Sequence, residues 1–122
     1  MNRILVIDQD RAAMQKVGLA CLEQGIGVAM ADNVCEGVRA LLADTISLVL
    51  VDSLALRLGA RESATLFERV APGVPVVVMV RPETDLSRVV TLELAGFRVA
   101  TKPVAVGDIL AKVTPEAEPA SR

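Results

Sequence analysis

The chain contains no histidine, tryptophan or tyrosine, only two phenylalanines and two cysteines, and no block of like charge. Each scarcity removes a class of chemistry. Without histidine, no Ser or Cys nucleophile has an imidazole base, and every His-containing metal site is excluded. Cys21 and Cys35 form no C-x-x-C pair and read as two small core residues. The net charge is −2, and the lysines and arginines form no basic stripe. With so few aromatic rings to stack on bases, nucleic-acid binding by this segment is not expected. The first apolar run meets an acid at Asp8, which is too early for a signal peptide or a membrane span. A cytoplasmic protein with no membrane partner is therefore expected. What the chain has in quantity is aliphatic: 52% of its 122 residues are hydrophobic, and the mean hydropathy is +0.50. That length suits one domain burying roughly two-thirds of its unfolded surface.

The apolar residues alternate between two patterns. Ile4–Ile7, Ile46–Val51 and Val76–Val80 are short unbroken runs rich in β-branched residues, expected of strands buried on both faces. Gly27–Ala31 and Phe97–Thr101 are weaker strand candidates. Between them lie helical periods. Asp10 caps a helix over about Arg11–Gln24, with Met14, Val17 and Cys21 inward and Gly25 ending it. Asn33 caps a helix to about Ala43 with Val34, Val38, Leu41 and Leu42 on its buried stripe. A helix over Glu62–Val70 buries Leu66, Phe67 and Val70. Another opens at Pro82 and Asp85, runs to about Ala95, and buries Leu86, Val89, Val90 and Leu94. Val106–Val113 closes the series. Five strand–helix units predict an α/β fold, a doubly wound five-stranded parallel sheet with five helices. Residues 1–113 form this domain. The remainder, "TPEAEPASR", reads as a flexible tail or the start of a linker.

In such a sheet the working groups gather at the carboxyl ends of the strands. Those ends supply Asp8, Gln9 and Asp10 from the first strand, Asp52 from the third and Lys102 from the fifth. Asp10 alone is explained as a helix cap. Asp8, Asp52 and Lys102 each follow an apolar run and are expected to converge, with Lys102 bridging at least one carboxylate.

These residues carry a resemblance. "ILVIDQD", "SLVLVDS" and "VATKP", in that order and with 44 residues from Asp8 to Asp52 and 50 from Asp52 to Lys102, resemble the receiver domain of two-component response regulators. The likeness covers about Asn2–Val113 and implies the flavodoxin-like, receiver-type arrangement. It implies that Asp52 is the phospho-acceptor, attacking the phosphohistidine of a partner sensor histidine kinase, and that a divalent cation, usually Mg²⁺, assists. Asp8, Asp52 and the Leu54 backbone carbonyl would then hold the metal, and Lys102 would pair with the phosphoryl group. The family's Lys-Pro bond, here Lys102-Pro103, is commonly cis. Such domains are signalling modules rather than enzymes, and the surface of the fourth helix, fifth strand and fifth helix is their common contact face. Self-association as a homodimer, or partner binding, is expected to use that face where it occurs, with Leu92 as the apolar residue off the buried stripe.

The chain also departs from the pattern. Gln9 stands where the family has its second metal-binding acid, and an amide oxygen is a poorer ligand for a hard cation than a carboxylate. Val80 replaces the Ser or Thr that bonds the phosphoryl group, and Val99 replaces the Tyr or Phe that follows it inward. Phe97 shares the strand parity of Val99 and is the alternative source of a ring. The Met-Pro that commonly follows the acceptor is absent, and Phe97-Arg98 replaces an acidic pair. Two modes stay open: an atypical receiver with an impaired metal site and switch, and a phosphorylation-independent pseudo-receiver acting by protein contact. The alternative from another class is a small flavodoxin-like cofactor-binding or enzymatic domain. Against it, "DQDRAAM" has no glycine to let the backbone approach a pyrophosphate.

Overall fold

The structure, a computed structural model, describes residues 3–113. The expected tail, 114–122, lies outside the described residues. The chain alternates β1 (Arg3–Ile7), α1 (Arg11–Glu23), β2 (Gly27–Ala31), α2 (Val34–Ala43), β3 (Leu48–Asp52), a single 3-10 turn (Ser53–Ala55), α3 (Ala60–Val70), β4 (Val76–Val80), α4 (Leu86–Leu94), β5 (Arg98–Thr101) and α5 (Val106–Val113). The strands form one parallel sheet in the order β2-β1-β3-β4-β5, with every neighbouring pair parallel. No helix among the described residues is long and apolar enough to cross a membrane.

The unbroken apolar runs are buried on both faces because helices cover both. Odd and even residues of β1 and β3 belong to two separate clusters. Leu5, Ile7, Val49 and Val51 pack with Leu41, Phe67 and Leu92 beneath α2, α3 and α4. Ile4, Val6, Leu48 and Leu50 pack with Met14, Val17, Cys21 and Ile109 beneath α1 and α5. The sheet meets α2 so closely that a Cβ on Gly37 would run into the side chain of fully buried Ile7, which is why glycine stands there. Burial also pushes the Cys21 thiol above its ordinary range.

Several expectations are corrected. β3 starts at Leu48, where pairing with Ile4 begins, and it takes in Asp52. α3 starts two residues early, at Ala60, directly after Gly59. Gln24 and Ala95 are caps rather than helix, and α4 starts at Leu86, behind Asp85. β5 begins at Arg98, so Phe97 precedes it. The expected stripe of α4 is largely reversed: Leu86, Val90 and Leu94 are 76%, 41% and 83% exposed, whereas Leu92 is wholly buried. The helix is turned so that Val89, Leu92 and Ala95 meet the core around Phe97. On α2, Leu41 is inward but Leu42 is exposed. Cys35, expected in the core, is on the surface in the first turn of α2. Phe97 is buried edge-to-face against Phe67, with ring centroids 6.3 Å apart, and so it is committed to the core.

Candidate functional site

Buried apolar strands β1 and β3 deliver Asp8 and Asp52 to the sheet edge, and the half-buried β5 delivers Lys102. Asp8 follows β1, and its backbone N–H donates to the Ala31 carbonyl at 3.0 Å, extending the ladder with β2. Asp10 N–H donates to Asp8 Oδ1 at 3.0 Å, which fixes that carboxylate. Asp10 itself caps α1, its Oδ1 accepting from Ala13 N–H at 3.1 Å. Lys102 is held by its backbone N–H, which donates to the Val80 carbonyl at 2.8 Å, and it is followed by a cis bond to Pro103.

The structure brings Asp8, Asp52 and Lys102 together. Lys102 Nζ donates to Asp8 Oδ2 at 2.8 Å and lies 2.9 Å from Asp52 Oδ1. The second contact is an ion pair without hydrogen-bond alignment, so Asp52 Oδ1 is buried with no hydrogen-bond donor. Both acids are buried, at 2% and 6% exposure. Burial acts to lower the Lys102 pKa, but the contacts with Asp8 and Asp52 outweigh it, and the ammonium is held above the ordinary lysine value. The ammonium is thus the counter-charge of two carboxylates that would otherwise repel each other.

The remaining candidates are not drawn in. Gln9 is exposed and lines a groove with Asn33, Cys35 and Arg57. Leu54 belongs to the 3-10 turn after Asp52, and its side chain is exposed. Val80 is buried and pairs with Thr101, and Val99 pairs with Val78 two residues back along the strands. No hydroxyl stands at position 80 and no ring at position 99. Mg²⁺ is usually held through one or two carboxylates with waters completing its shell, and the two acids here already share the Lys102 ammonium. Among the described residues no group of three or more Asp, Glu, Cys or His side chains can hold a metal. The orphaned Asp52 oxygen is the one feature that invites a cation, and Lys102 already lies against it. A cation at Asp8 and Asp52 would compete with the Lys102 ammonium that lies against both.

A five-stranded parallel sheet of order 2-1-3-4-5, with two acids and a lysine at its carboxyl edge, can be compared with solved structures. A CheY-like response regulator receiver domain protein from Methanospirillum hungatei superposes with a TM-score of 0.77 at 24% identity, over 93% of this chain and 90% of that one. The fold is that of a response-regulator receiver domain. The sequence relatives are response regulators and transcriptional regulators. The transcriptional regulatory protein GlrR of Escherichia coli is 29% identical over 104 residues, which is 83% of this chain and 23% of that protein. The response regulator MprA of Mycolicibacterium vanbaalenii is 25% identical over 111 residues, 91% of this chain and 48% of that protein. The chain therefore spans less than half the length of these curated relatives. No protein-family model matches it.

Sequence reasoning identified the charged trio by reading strand ends. It expected Gln9 at the metal position, and the structure has Gln9 exposed, lining a groove with Asn33, Cys35 and Arg57.

Proposed function

We propose that this is an atypical receiver domain of a two-component system, in which Asp52 is the candidate phospho-acceptor but the metal site and the switch are both impaired. The observation that carries the reading is the Asp8–Lys102–Asp52 trio, with Lys102 Nζ 2.8 Å and 2.9 Å from the two acids while Gln9 stands outside it. In this reading Asp52 would attack a phosphoryl donor, and Lys102 would move from pairing the acids to pairing the phosphoryl oxygens. Mg²⁺ would bind weakly, through Asp8, Asp52, the Leu54 carbonyl and whatever Gln9 contributes. Without a hydroxyl at Val80 or a ring at Val99, an added phosphoryl group gains little from any second conformation. A ligand shifts a two-state equilibrium only by its differential affinity for the two states. The coupling from Asp52 to the rest of the fold would therefore be small.

The partners in this reading are a sensor histidine kinase or another signalling protein of the cytoplasm. Contact would use the α4–β5–α5 face, where Leu86, Val90 and Leu94 recur every four residues and are exposed. The pseudo-receiver, which signals by that contact with no phosphoryl group, is the limiting form of the same proposal.

The test is phosphorylation by a small-molecule donor such as acetyl phosphate with Mg²⁺, read by intact mass. The reading expects slow, incomplete labelling that Asp52→Asn abolishes and Gln9→Asp accelerates. Rapid stoichiometric labelling of the unmodified chain, unaffected by Gln9→Asp, would contradict an impaired site. No labelling of either form would favour the pseudo-receiver.

A further inference from the structure

The row of strand ends that holds the acid trio carries one more charge. β4 lies between β3 and β5, and its last residue, Val80, is followed at once by Arg81. The backbone there is held on both sides. The Lys102 N–H donates to the Val80 carbonyl at 2.8 Å, and the Arg81 carbonyl accepts from the Thr84 N–H at 3.0 Å. Met79 and Pro82, which flank this step, line the same cleft as Asp8 and Lys102. Met79 is also the register partner of Asp52. With strands about 4.8 Å apart and a rise of about 3.3 Å per residue, the Cα atoms of Arg81 and Asp52 stand about 8 Å apart. An arginine side chain spans that gap when a phosphoryl group fills part of it.

The guanidinium is uncommitted. Arg81 is exposed, and among the described residues its side chain has no ion-pair or hydrogen-bond partner. Glu83 and Asp85, exposed in the loop that follows, are not paired with it. The trio holds two acids against one ammonium, and Asp10 adds a third carboxylate beside Asp8. A phosphoryl donor arrives as an anion, so attack by Asp52 needs cationic charge beyond Lys102, which both acids already share. A divalent metal commonly supplies that charge in phosphoryl transfer. An arginine supplies it without taking ligands from the acids, and its planar fork matches phosphoryl oxygens bidentately.

We propose that Arg81 binds the transferring phosphoryl group at Asp52, so that this site accepts it without a metal. The inference rests on the reading of Asp52 as acceptor and adds the group that neutralises the donor. An Asp52 carboxylate oxygen attacks phosphorus, the P–O bond to the donor breaks, and the leaving group departs with the bonding pair. The Arg81 N–H groups donate to the phosphoryl oxygens throughout.

The test is labelling of the full chain by acetyl phosphate, read by intact mass, in EDTA and in Mg²⁺. Labelling in EDTA is expected, abolished by Asp52→Asn. Arg81→Gln should slow it at least tenfold through loss of a charged hydrogen bond, while Arg81→Lys keeps part of the rate. Mg²⁺ should accelerate Arg81→Gln more than the unmodified chain. Arg39→Gln, the same charge change at an exposed position of α2, should alter nothing. Labelling that requires Mg²⁺, or that is equally fast in Arg81→Gln, overturns the role of Arg81 and leaves Asp52 as acceptor. With no labelling under either condition the acceptor reading fails, and inorganic phosphate then decides for Arg81. A saturable shift of its guanidinium Nε–H resonance sustains the anion site, and no shift overturns it.

Discussion

Replacing Lys102 by methionine keeps the aliphatic stem and removes the ammonium that lies between two buried carboxylates. At 2.8 Å and 2.9 Å, each ion pair has a gross attraction of about 6 kcal/mol for an effective dielectric of about 20. Desolvation of the three charges and the mutual repulsion of the acids offset much of this. Loss of one partner from a buried pair commonly costs 3–5 kcal/mol; the Lys102 side chain is 22% exposed, so solvent reaches the site and a cost of about 3 kcal/mol is expected. The measurement is urea denaturation at neutral pH for the unmodified chain, Lys102→Met, Asp8→Asn and the double variant. The double variant should recover part of the loss, because one of two unpaired acids has gone, and the cycle should be non-additive by more than about 1 kcal/mol. Mg²⁺ should stabilise Lys102→Met more than the unmodified chain, since a cation has then become necessary. Lys102→Met within about 0.5 kcal/mol of the unmodified chain would refute the claim that Lys102 is the site's internal counter-ion, because a surface charge would give that result.

The other expectations follow from single contacts. Lys102 has its pKa held above the ordinary 10.5, so its stabilisation is complete below that value and is lost as pH rises through the raised one; denaturation midpoints from pH 8 to 12 should be flat and then fall, and Lys102→Met should lack that lysine-linked fall. Gly37→Ala should destabilise by about 1–3 kcal/mol because its Cβ meets buried Ile7, while Gly107→Ala, with open space around it in α5, should stabilise by up to about 1 kcal/mol, both read from urea midpoints. Gln9→Asp should tighten Mg²⁺ in calorimetry by restoring a charged oxygen near the acids, and unchanged affinity would mean that position 9 cannot reach the metal. If the α4 face self-associates, Leu94→Glu should shift sedimentation toward monomer, whereas Leu42→Glu, equally apolar and exposed on α2, should not.

What could be read from the sequence was set by how local the cause was. Unbroken runs such as Ile4–Ile7 and Val76–Val80 declare buried strands, because only a strand covered on both faces is apolar at successive positions. The convergence of Asp8, Asp52 and Lys102 followed, since a parallel sheet puts all strand ends on one edge. The facing of α4 was not legible. Its apolar residues at 86, 89, 90, 92 and 94 allow two stripes, and the choice fell to packing against Phe97, a contact outside the helix. Leu42 misled for the same reason: two successive leucines cannot both face the sheet, and Leu41 took the place. The 3-10 turn Ser53–Ala55 is too short to carry a period. The burial of Phe97 against Phe67 joins residues thirty apart, which no window of sequence displays.

The central proposal is that this receiver-fold domain carries a candidate acceptor, Asp52, and its lysine, Lys102, without a full metal-assisted switch. The direct measurement is the backbone amide spectrum with Mg²⁺ before and after beryllofluoride, a phosphoryl mimic. The account predicts small shifts confined to residues near Asp8, Asp52 and Lys102, enlarged in the Gln9→Asp, Val80→Thr double variant beyond either single change. Tight Mg²⁺ binding by the unmodified chain, with shifts spreading through α4, β5 and α5 on adding beryllofluoride, would contradict it.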